Sequence, residues 1–212
     1  MIDNLIVPVL NRYDLLQRML DSVDVPVEHL LVIDNGKGAD LFFSENFNNV
    51  TVLDMPANLG VAGSWNLGIK SFPSAERWVI ASNDVQFGSG ALEGLSKARR
   101  DEITLTGRAP HWQAFAIGDQ VVNTIGLFDE ALHPAYFEDN DYERRAEYAG
   151  ITVKMVDLEI SHDNSSTVKA GFEHRNAQTY QNNNKYYEAK KANKDYGAGS
   201  WSLKIRRENS WD

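Results

Sequence analysis

Short apolar runs alternate with amphipathic segments over the first hundred residues of the chain. The runs predict four strands, at residues 5–10, 30–33, 50–53 and 78–81, since buried strands are typically about four to eight residues long. Helical spacing of apolar residues predicts helices at residues 14–22, within the segment 58–69, and at residues 89–99. Strands and helices in this order predict right-handed βαβ units and a mostly parallel sheet.

The second half of the chain has a less regular pattern. It predicts strands at residues 103–106, 114–117 and 151–156, and helices at residues 119–124 and 138–148. A stretch rich in Asn, Tyr and Lys from Gln178 to Tyr196 predicts a polar helix on the surface. We therefore expect an α/β domain at residues 1–167 and a helical, basic extension at 168–212, packed on or near that domain.

Charge and composition narrow the class of protein. The net charge of −9 is uneven, because residues 1–167 carry −13 and residues 168–212 carry +4. An acidic body is a poor general nucleic-acid binder, since such binding depends on neutralising phosphates. No apolar run reaches the roughly 18 residues of a membrane span, so we expect no transmembrane segment. The absence of cysteine and of a signal-like start favours a cytoplasmic location.

Acidic side chains follow three of the apolar runs. Asp34 follows the second run, Asp84 follows the fourth, and a cluster at residues 138–141 follows two aromatic residues. In open α/β sheets, ligands bind beyond the carboxyl ends of the strands. Carboxylates at that edge indicate a divalent cation, the hydroxyls of a nucleotide, or proton transfer. The pattern therefore favours an enzyme with a polar site.

The order of these motifs resembles that of a known enzyme family over residues 5 to about 166. The chain resembles the GT-A fold glycosyltransferases, specifically the inverting family 2 and its rhamnosyltransferase-like members. The matching segments are Val7–Arg12, Val32–Gly36, Asn58–Ile69, Ser82–Val85, Ile125–Glu130, Glu138–Tyr142 and Ser161–His162. The resemblance implies a mostly parallel central sheet flanked by helices, and a hexosyl- or deoxyhexosyltransferase activity.

The resemblance also implies where the nucleotide of a donor sugar binds. The carboxylate after the second strand contacts the nucleoside in this family, and that position is Asp34. An Asx turn residue before glycine is an equally good interpretation of Asp34 taken alone. The other implied contacts lie at the first strand end, in the glycine-bearing segment and before the second acidic site: Pro8, Asn11, Asn58, Gly60, Asn66 and Asn83. Trp65, in the same segment, is expected in the core.

A divalent cation, Mn²⁺ or Mg²⁺, is implied by two further positions. Asp84 takes the last place of the family's Asp-x-Asp metal motif, and His162 takes the place of a histidine that reaches the metal or diphosphate. The stretch here reads Ser82-Asn83-Asp84, so a single carboxylate remains and the phosphates must complete the coordination. The alternatives are a strand-end turn for Asp84 and an ordinary exposed or buried histidine for His162.

The family's Glu-Asp motif implies a catalytic base at Asp139. Glu138 is expected to support acceptor binding or to orient its neighbours, and Asp141 with Arg144 forms an i,i+3 pair. An acidic first helical turn, favoured by the helix dipole, is the structural alternative. The expected reaction transfers a sugar, with inversion and with the help of the cation, from a nucleoside-diphosphate sugar to an acceptor hydroxyl.

Other interpretations of the sequence stay open. The single carboxylate at the metal motif favours a catalytically silent nucleotide-sugar-binding module, and a sugar-phosphate nucleotidyltransferase ranks lower because no glycine-rich basic loop follows the first strand. The acceptor is a glycan, a lipid-linked molecule or a protein, and a homo-oligomer stays open. Four aromatic residues of the extension are expected to pack rather than to stack on sugars: Tyr180, Tyr186, Tyr187 and Trp201.

Overall fold

A computed structural model describes residues 1–38, 40–107, 109–163 and 173–197, with the backbone alone for 173–175. The predicted domain boundary at residues 167–168 and Trp201 lie outside the described residues. The strands are β1 (Ile2–Val9), β2 (Val27–Asp34), β3 (Phe47–Asp54), β4 (Arg77–Ala81), β5 (Val85–Phe87), β6 (Glu102–Thr106), β7 (Ala114–Gly118), β8 (Thr152–Val156) and β9 (Ile160–His162). The helices are α1 (Tyr13–Asp21), α2 (Gly60–Ser71), α3 (Ala91–Ser96), α4 (Asp119–Ile125), α5 (Glu138–Tyr148) and α6 (Glu173–Ala192), with a 3-10 turn at His111–Gln113.

Seven of the strands form one sheet in the order β3-β2-β1-β4-β7-β6-β8. Only β7 runs antiparallel to its neighbours, so the prediction of a mostly parallel sheet is confirmed. The chain moves outward from β1 to β3 and then returns to the other side of β1 as β4. This reversal makes the gap between β1 and β4 a topological switch point, where ligands bind in open α/β sheets.

Two hydrophobic clusters cover the two faces of the sheet. In β1, Leu5 and Val7 belong to the cluster that includes residues of α1 and α3. Ile6 points the other way, into the cluster that includes residues of α2, α4 and α5. Because successive strand residues alternate between faces, burying both faces requires the nearly continuous apolar runs seen in the sequence. Helices therefore flank the central sheet on both sides, as expected.

A two-stranded ribbon of β5 and β9 was not predicted. Its strands are three residues each, and they pair antiparallel with Val85 opposite His162. Runs this short give no readable periodicity. The ribbon brings Asp84, the residue before β5, next to His162, the last residue of β9, and both are predicted site residues.

Helix α6 contacts the body along its length. Asn183 and Lys190 are its most buried described residues, exposed by 5% and 4%. Tyr180 and Tyr187 contact the aromatic rings just before α5, so the prediction that they pack is confirmed. Among the described residues, no helix is both long and apolar enough to cross a membrane.

Candidate active site

The candidate site lies at the switch point between β1 and β4. β1 pairs with β2 as far as Val9–Asp34, but its pairs with β4 are Leu5–Val79 and Ile6–Ile80. Asn83 then bridges the two strand ends, since its amide nitrogen donates to the carbonyl oxygens of Asn11 at 3.1 Å and Arg12 at 3.4 Å. The structure therefore brings together Asn11 and Asn83, both predicted to line the nucleotide pocket, and Pro8 lies in β1 three residues before Asn11.

Asp84 and His162 are in direct contact. The imidazole Nε2 lies 2.9 Å from the carboxylate Oδ1, and the two side chains are exposed by only 13% and 8%. The backbone N–H of Asp163 also donates to the Asp84 carbonyl at 3.1 Å. The β5–β9 ribbon thus joins two residues that are 78 positions apart in the sequence.

This pair fits two adjacent ligand positions of one divalent cation. Ligands bonded at about 2.1 Å and at right angles lie about 3.0 Å apart, close to the 2.9 Å observed between these atoms. A carboxylate and a neutral imidazole suit Mn²⁺ better than Mg²⁺, which prefers oxygen alone. Within the described ranges, no group of three or more His, Cys, Asp or Glu side chains forms a complete metal cage. Oxygens of a diphosphate would have to complete the shell.

Asp34 is fully buried, and its carboxylate is occupied by the protein. It accepts hydrogen bonds from the Tyr13 hydroxyl at 2.6 Å and from the backbone N–H groups of residues 36, 37 and 38 at 2.8–3.1 Å. Burial alone would raise the pKa of Asp34, but these hydrogen bonds outweigh it and lower the pKa. In this conformation Asp34 therefore orders the loop after β2, in the manner of the Asx turn considered above.

The start of α2 is held by the segment before α5. Asn58 accepts from the N–H of Gly60 at 2.9 Å, and the N–H of Val61 donates to the Pro134 carbonyl at 2.7 Å. A Cβ on Gly60 would lie 2.7 Å from that same carbonyl oxygen, and its φ of +71° also favours glycine. The close approach that requires this glycine is therefore to Pro134, whereas we expected an approach to a ligand.

Asn66 also differs from the expectation of a ligand contact. It is fully buried, and its side chain exchanges two hydrogen bonds of 2.9 Å with the backbone of Phe128. A third bond of 2.8 Å reaches Glu130. All three partners belong to the loop after α4, so Asn66 fixes that loop and belongs to the scaffold. The expected core position of Trp65 is confirmed, because it packs among Trp112, Phe115 and Phe128.

Glu138 and Asp139 form the first turn of α5. Burial raises the pKa of Glu138 to about 8, the nearby charge of Asp139 contributes, and Glu138 Oε2 has no hydrogen-bond partner among the described residues. Burial also raises the pKa of Asp139, and the charge of Glu143 adds to this, although the N–H of Asn140 opposes it. The expected pair of Asp141 and Arg144 is confirmed at 3.1 Å. Perturbed carboxyls of this kind are typical of functional sites.

Sequence reasoning missed two residues that connect α5 to the switch point. The Trp112 indole N–H donates to Glu143 at 2.6 Å, one helical turn after Asp139. The backbone carbonyl of the next residue, Gln113, accepts at 2.8 Å from the N–H of Ser82 at the end of β4. A buried tryptophan needs an acceptor for its N–H, so an acid on the facing helix was the available signal.

A shallow depression beside Asn4 and Arg77 lies at the opposite edge of the sheet.

No protein-family profile and no curated protein matches the chain. Solved structures do. S. aureus TarS 1–349 in complex with UDP matches with a TM-score of 0.56 and 16% identity over 74% of this chain. The same protein with UDP-GlcNAc matches with a TM-score of 0.56 and 15% identity, over 74% of this chain and 56% of that one. GalNAc-T7 with UDP, GalNAc and Mn²⁺ matches with a TM-score of 0.55 and 11% identity, over 75% of this chain and 44% of that one.

The chain spans 58% of the length of the TarS–UDP structure. At these identities the similarity concerns the fold alone, that is, the order of the strands in the sheet and the helices that flank it. The chain therefore has the GT-A fold of these glycosyltransferases.

Proposed function

We propose that the protein is a glycosyltransferase that uses a nucleoside-diphosphate sugar as donor and an acceptor hydroxyl as nucleophile, with inversion at the anomeric carbon. The observation that carries this proposal is the Asp84–His162 pair beside the Asn83 bridge at the switch point of a GT-A fold. The neighbours TarS and GalNAc-T7 are crystallised with UDP, which supports a uridine nucleotide as the first donor class to test.

The nucleotide would lie along the carboxyl ends of β1 and β2. Pro8 and Asn11 line the end of β1, and Asn83 fixes the facing loop. Because the Asp34 carboxylate already accepts four hydrogen bonds from the protein, we assign it the ordering of residues 35–38. The nucleoside would then meet the backbone of that exposed loop. A direct contact with Asp34 requires the Tyr13 hydroxyl to move away.

The diphosphate would lie next to Asp84 and His162. A Mn²⁺ or Mg²⁺ ion held by these two side chains would supply Lewis-acid stabilisation of the charge on the leaving diphosphate. Both side chains are nearly buried, so this stabilisation acts with little competition from water. Holding the cation requires a neutral imidazole, which makes its binding weaker at acidic pH.

The chemical step needs a base on the side of the sugar opposite the diphosphate. Asp139 removes the proton from the acceptor hydroxyl as that oxygen bonds to the anomeric carbon. The bond from that carbon to the diphosphate oxygen breaks, and the nucleoside diphosphate leaves with the electron pair. A raised pKa makes Asp139 a better base than an ordinary aspartate. Glu138, largely protonated at neutral pH, is suited to donate a hydrogen bond to the acceptor.

The test is hydrolysis of a panel of nucleotide sugars by the full chain, with and without Mn²⁺. A donor that turns over is then used with Asp139→Asn and with Glu147→Gln, an exposed carboxylate of the same helix. We expect the Asp139 variant to lose about 10²- to 10⁴-fold in kcat with donor affinity within twofold, and the control to match the wild type. Wild-type turnover by Asp139→Asn would refute the assignment of the base.

A catalytically silent binding module is the second candidate. It is favoured by the single carboxylate at Ser82-Asn83-Asp84. A donor that binds the folded form raises the melting temperature whether or not it reacts, so thermal shift detects both cases. Binding of a donor without turnover, at any Mn²⁺ concentration tested, would favour the module over the transferase.

A further inference from the structure

The two residues before the proposed catalytic pair have a strained backbone. Tyr136 and Phe137 have φ values of +80° and +73°, in the left-handed region that side chains other than glycine rarely adopt. Phe137 is the N-cap of α5, so its conformation sets the direction in which Glu138 and Asp139 leave the loop. Such a strained pair persists only where the surrounding structure holds it.

Helix α6 supplies the contacts that hold this loop. The amide nitrogen of Asn183 donates to the carbonyl of Ala135 at 2.7 Å and shares longer contacts with those of His133 at 3.3 Å and Tyr136 at 3.4 Å. The Tyr180 ring lies 5.5 Å from that of Tyr136 and 5.0 Å from that of Phe137. Asn183 is only 5% exposed, so its amide makes these contacts largely out of reach of water.

The contacts form one stripe along α6. It consists of Asn176, Tyr180, Asn183, Tyr187 and Lys190, which we call the α6 stripe. Spacings of four and three residues place all five on one face of a helix. Asn176 accepts from the Tyr136 hydroxyl, and the Tyr187 ring stacks 5.4 Å from Phe137. The middle of the stripe therefore covers the loop that precedes the catalytic pair.

The end of the stripe is anchored by a buried ion cluster. Lys190 Nζ lies 2.7 Å from Asp129 Oδ2 and 3.0 Å from Asp141 Oδ1, and it donates to the carbonyl of Gly197 at 2.8 Å. Asp141 belongs to α5, two residues after Asp139. Helix α6 therefore contacts the backbone carbonyls of the loop before α5 through Asn183, and the first turn of α5 through Lys190.

We infer that the α6 stripe positions the catalytic pair, with Asn183 as the principal positioning residue for the orientation of Glu138 and Asp139. This inference rests on the proposed function for its effect on turnover. The donor contacts at β1 and β4 lie outside the stripe, so its loss should lower kcat and leave nucleotide affinity unchanged. A residue that contributed only to stability would change the melting temperature without changing the kcat of the folded protein.

The test compares Asn183→Ala with Asn182→Ala, which removes the same side chain from the exposed face of α6. Two readouts are needed: donor turnover, and hydrogen–deuterium exchange of peptides covering residues 133–141. We expect Asn183→Ala to lower kcat at least tenfold, keep the Kd for UDP within twofold, and exchange faster in this segment. Asn182→Ala should match the wild type in all three.

Wild-type kcat and wild-type exchange in Asn183→Ala would overturn the inference. If that variant does not fold, Tyr180→Ala replaces it, because Tyr180 is 50% exposed and tolerates truncation better. Wild-type behaviour of the Tyr180 variant in both readouts would equally overturn it. A wild-type protein without turnover refutes the proposed function instead, and the exchange measurement then tests the contact between α6 and the loop independently.

Discussion

Replacing Lys190 by Met should lower the free energy of unfolding, because it leaves two buried carboxylates without the cation that they share. Asp129 and Asp141 are exposed by 1% and 0%, and Lys190 by 4%. Removing one partner of a buried ion pair typically costs about 3–5 kcal/mol. The cost here should be near the lower limit, since both carboxylates keep other donors. Asp141 keeps Arg145 at 2.9 Å, and Asp129 keeps the N–H of Ala131 at 3.0 Å.

The expected loss of about 3 kcal/mol corresponds to a fall of about 6–12 °C in melting temperature for a chain of this size. Urea unfolding at constant pH measures the free energy of unfolding directly. Lys191→Met is the matched control, because Lys191 pairs at 3.1 Å with Glu188 and both side chains are about half exposed. An exposed pair of this kind contributes at most about 1 kcal/mol.

A second substitution tests the cause of the loss. Adding Asp129→Asn to Lys190→Met removes one uncompensated negative charge, so the double variant should recover part of the stability that the single variant loses. The buried cluster does not hold α6 in solution if the free energy of unfolding of Lys190→Met lies within about 1 kcal/mol of the wild-type value and equals that of Lys191→Met.

Three further outcomes follow from the site. Gly60→Ala should lower the melting temperature more than Gly90→Ala. Both glycines have φ of +71°, but only at Gly60 would the added Cβ lie 2.7 Å from a carbonyl oxygen. Equal falls in melting temperature would contradict this packing. Glu138 binds its proton more tightly in the folded state, so the wild type should lose stability as the pH rises from about 4.5 to about 8. Glu138→Gln should not show this loss, and parallel profiles of melting temperature against pH for the two proteins would contradict the reasoning. Glu143→Gln should lower the pKa of Asp139, because it removes a nearby negative charge. Under the proposed mechanism the acid limb of donor turnover then moves to lower pH, and an unmoved limb would contradict an effect of Glu143 on Asp139.

The sheet was predictable because its strands carry a strong signal. Both faces of β1 and β2 are buried, so their apolar runs are nearly unbroken. Helix α5 begins and ends at the residues predicted for it, Glu138 and Tyr148. The β5–β9 ribbon was not predictable, because each strand has three residues and its partner lies far along the chain. Local pattern contains no information about such pairing.

The role of α6 was hidden for a different reason. Its buried face is formed by asparagine, tyrosine and lysine, which an apolar periodicity does not count. A helix that packs through hydrogen bonds and a buried ion pair therefore looks like a solvated one. The predicted surface helix is correct in type, but it spans Glu173–Ala192 where residues 178–196 were predicted, and its most buried described side chains, Asn183 and Lys190, lie on a covered face.

The motif residues Asp34, Gly60 and Asn66 illustrate how loops next to the central sheet are held in place. Each is conspicuous in the sequence, and each is committed to another part of the backbone: the loop after β2, the carbonyl of Pro134, and the loop after α4. Loop backbone has no ladder partners, so Asp34 and Asn66 supply hydrogen bonds to it through their side chains, and Gly60 allows a carbonyl to approach closely. Substitution of these residues should therefore lower stability before it lowers donor affinity. Asp84 and His162 should show the reverse order, since the ribbon that joins them is held by its own backbone pairing.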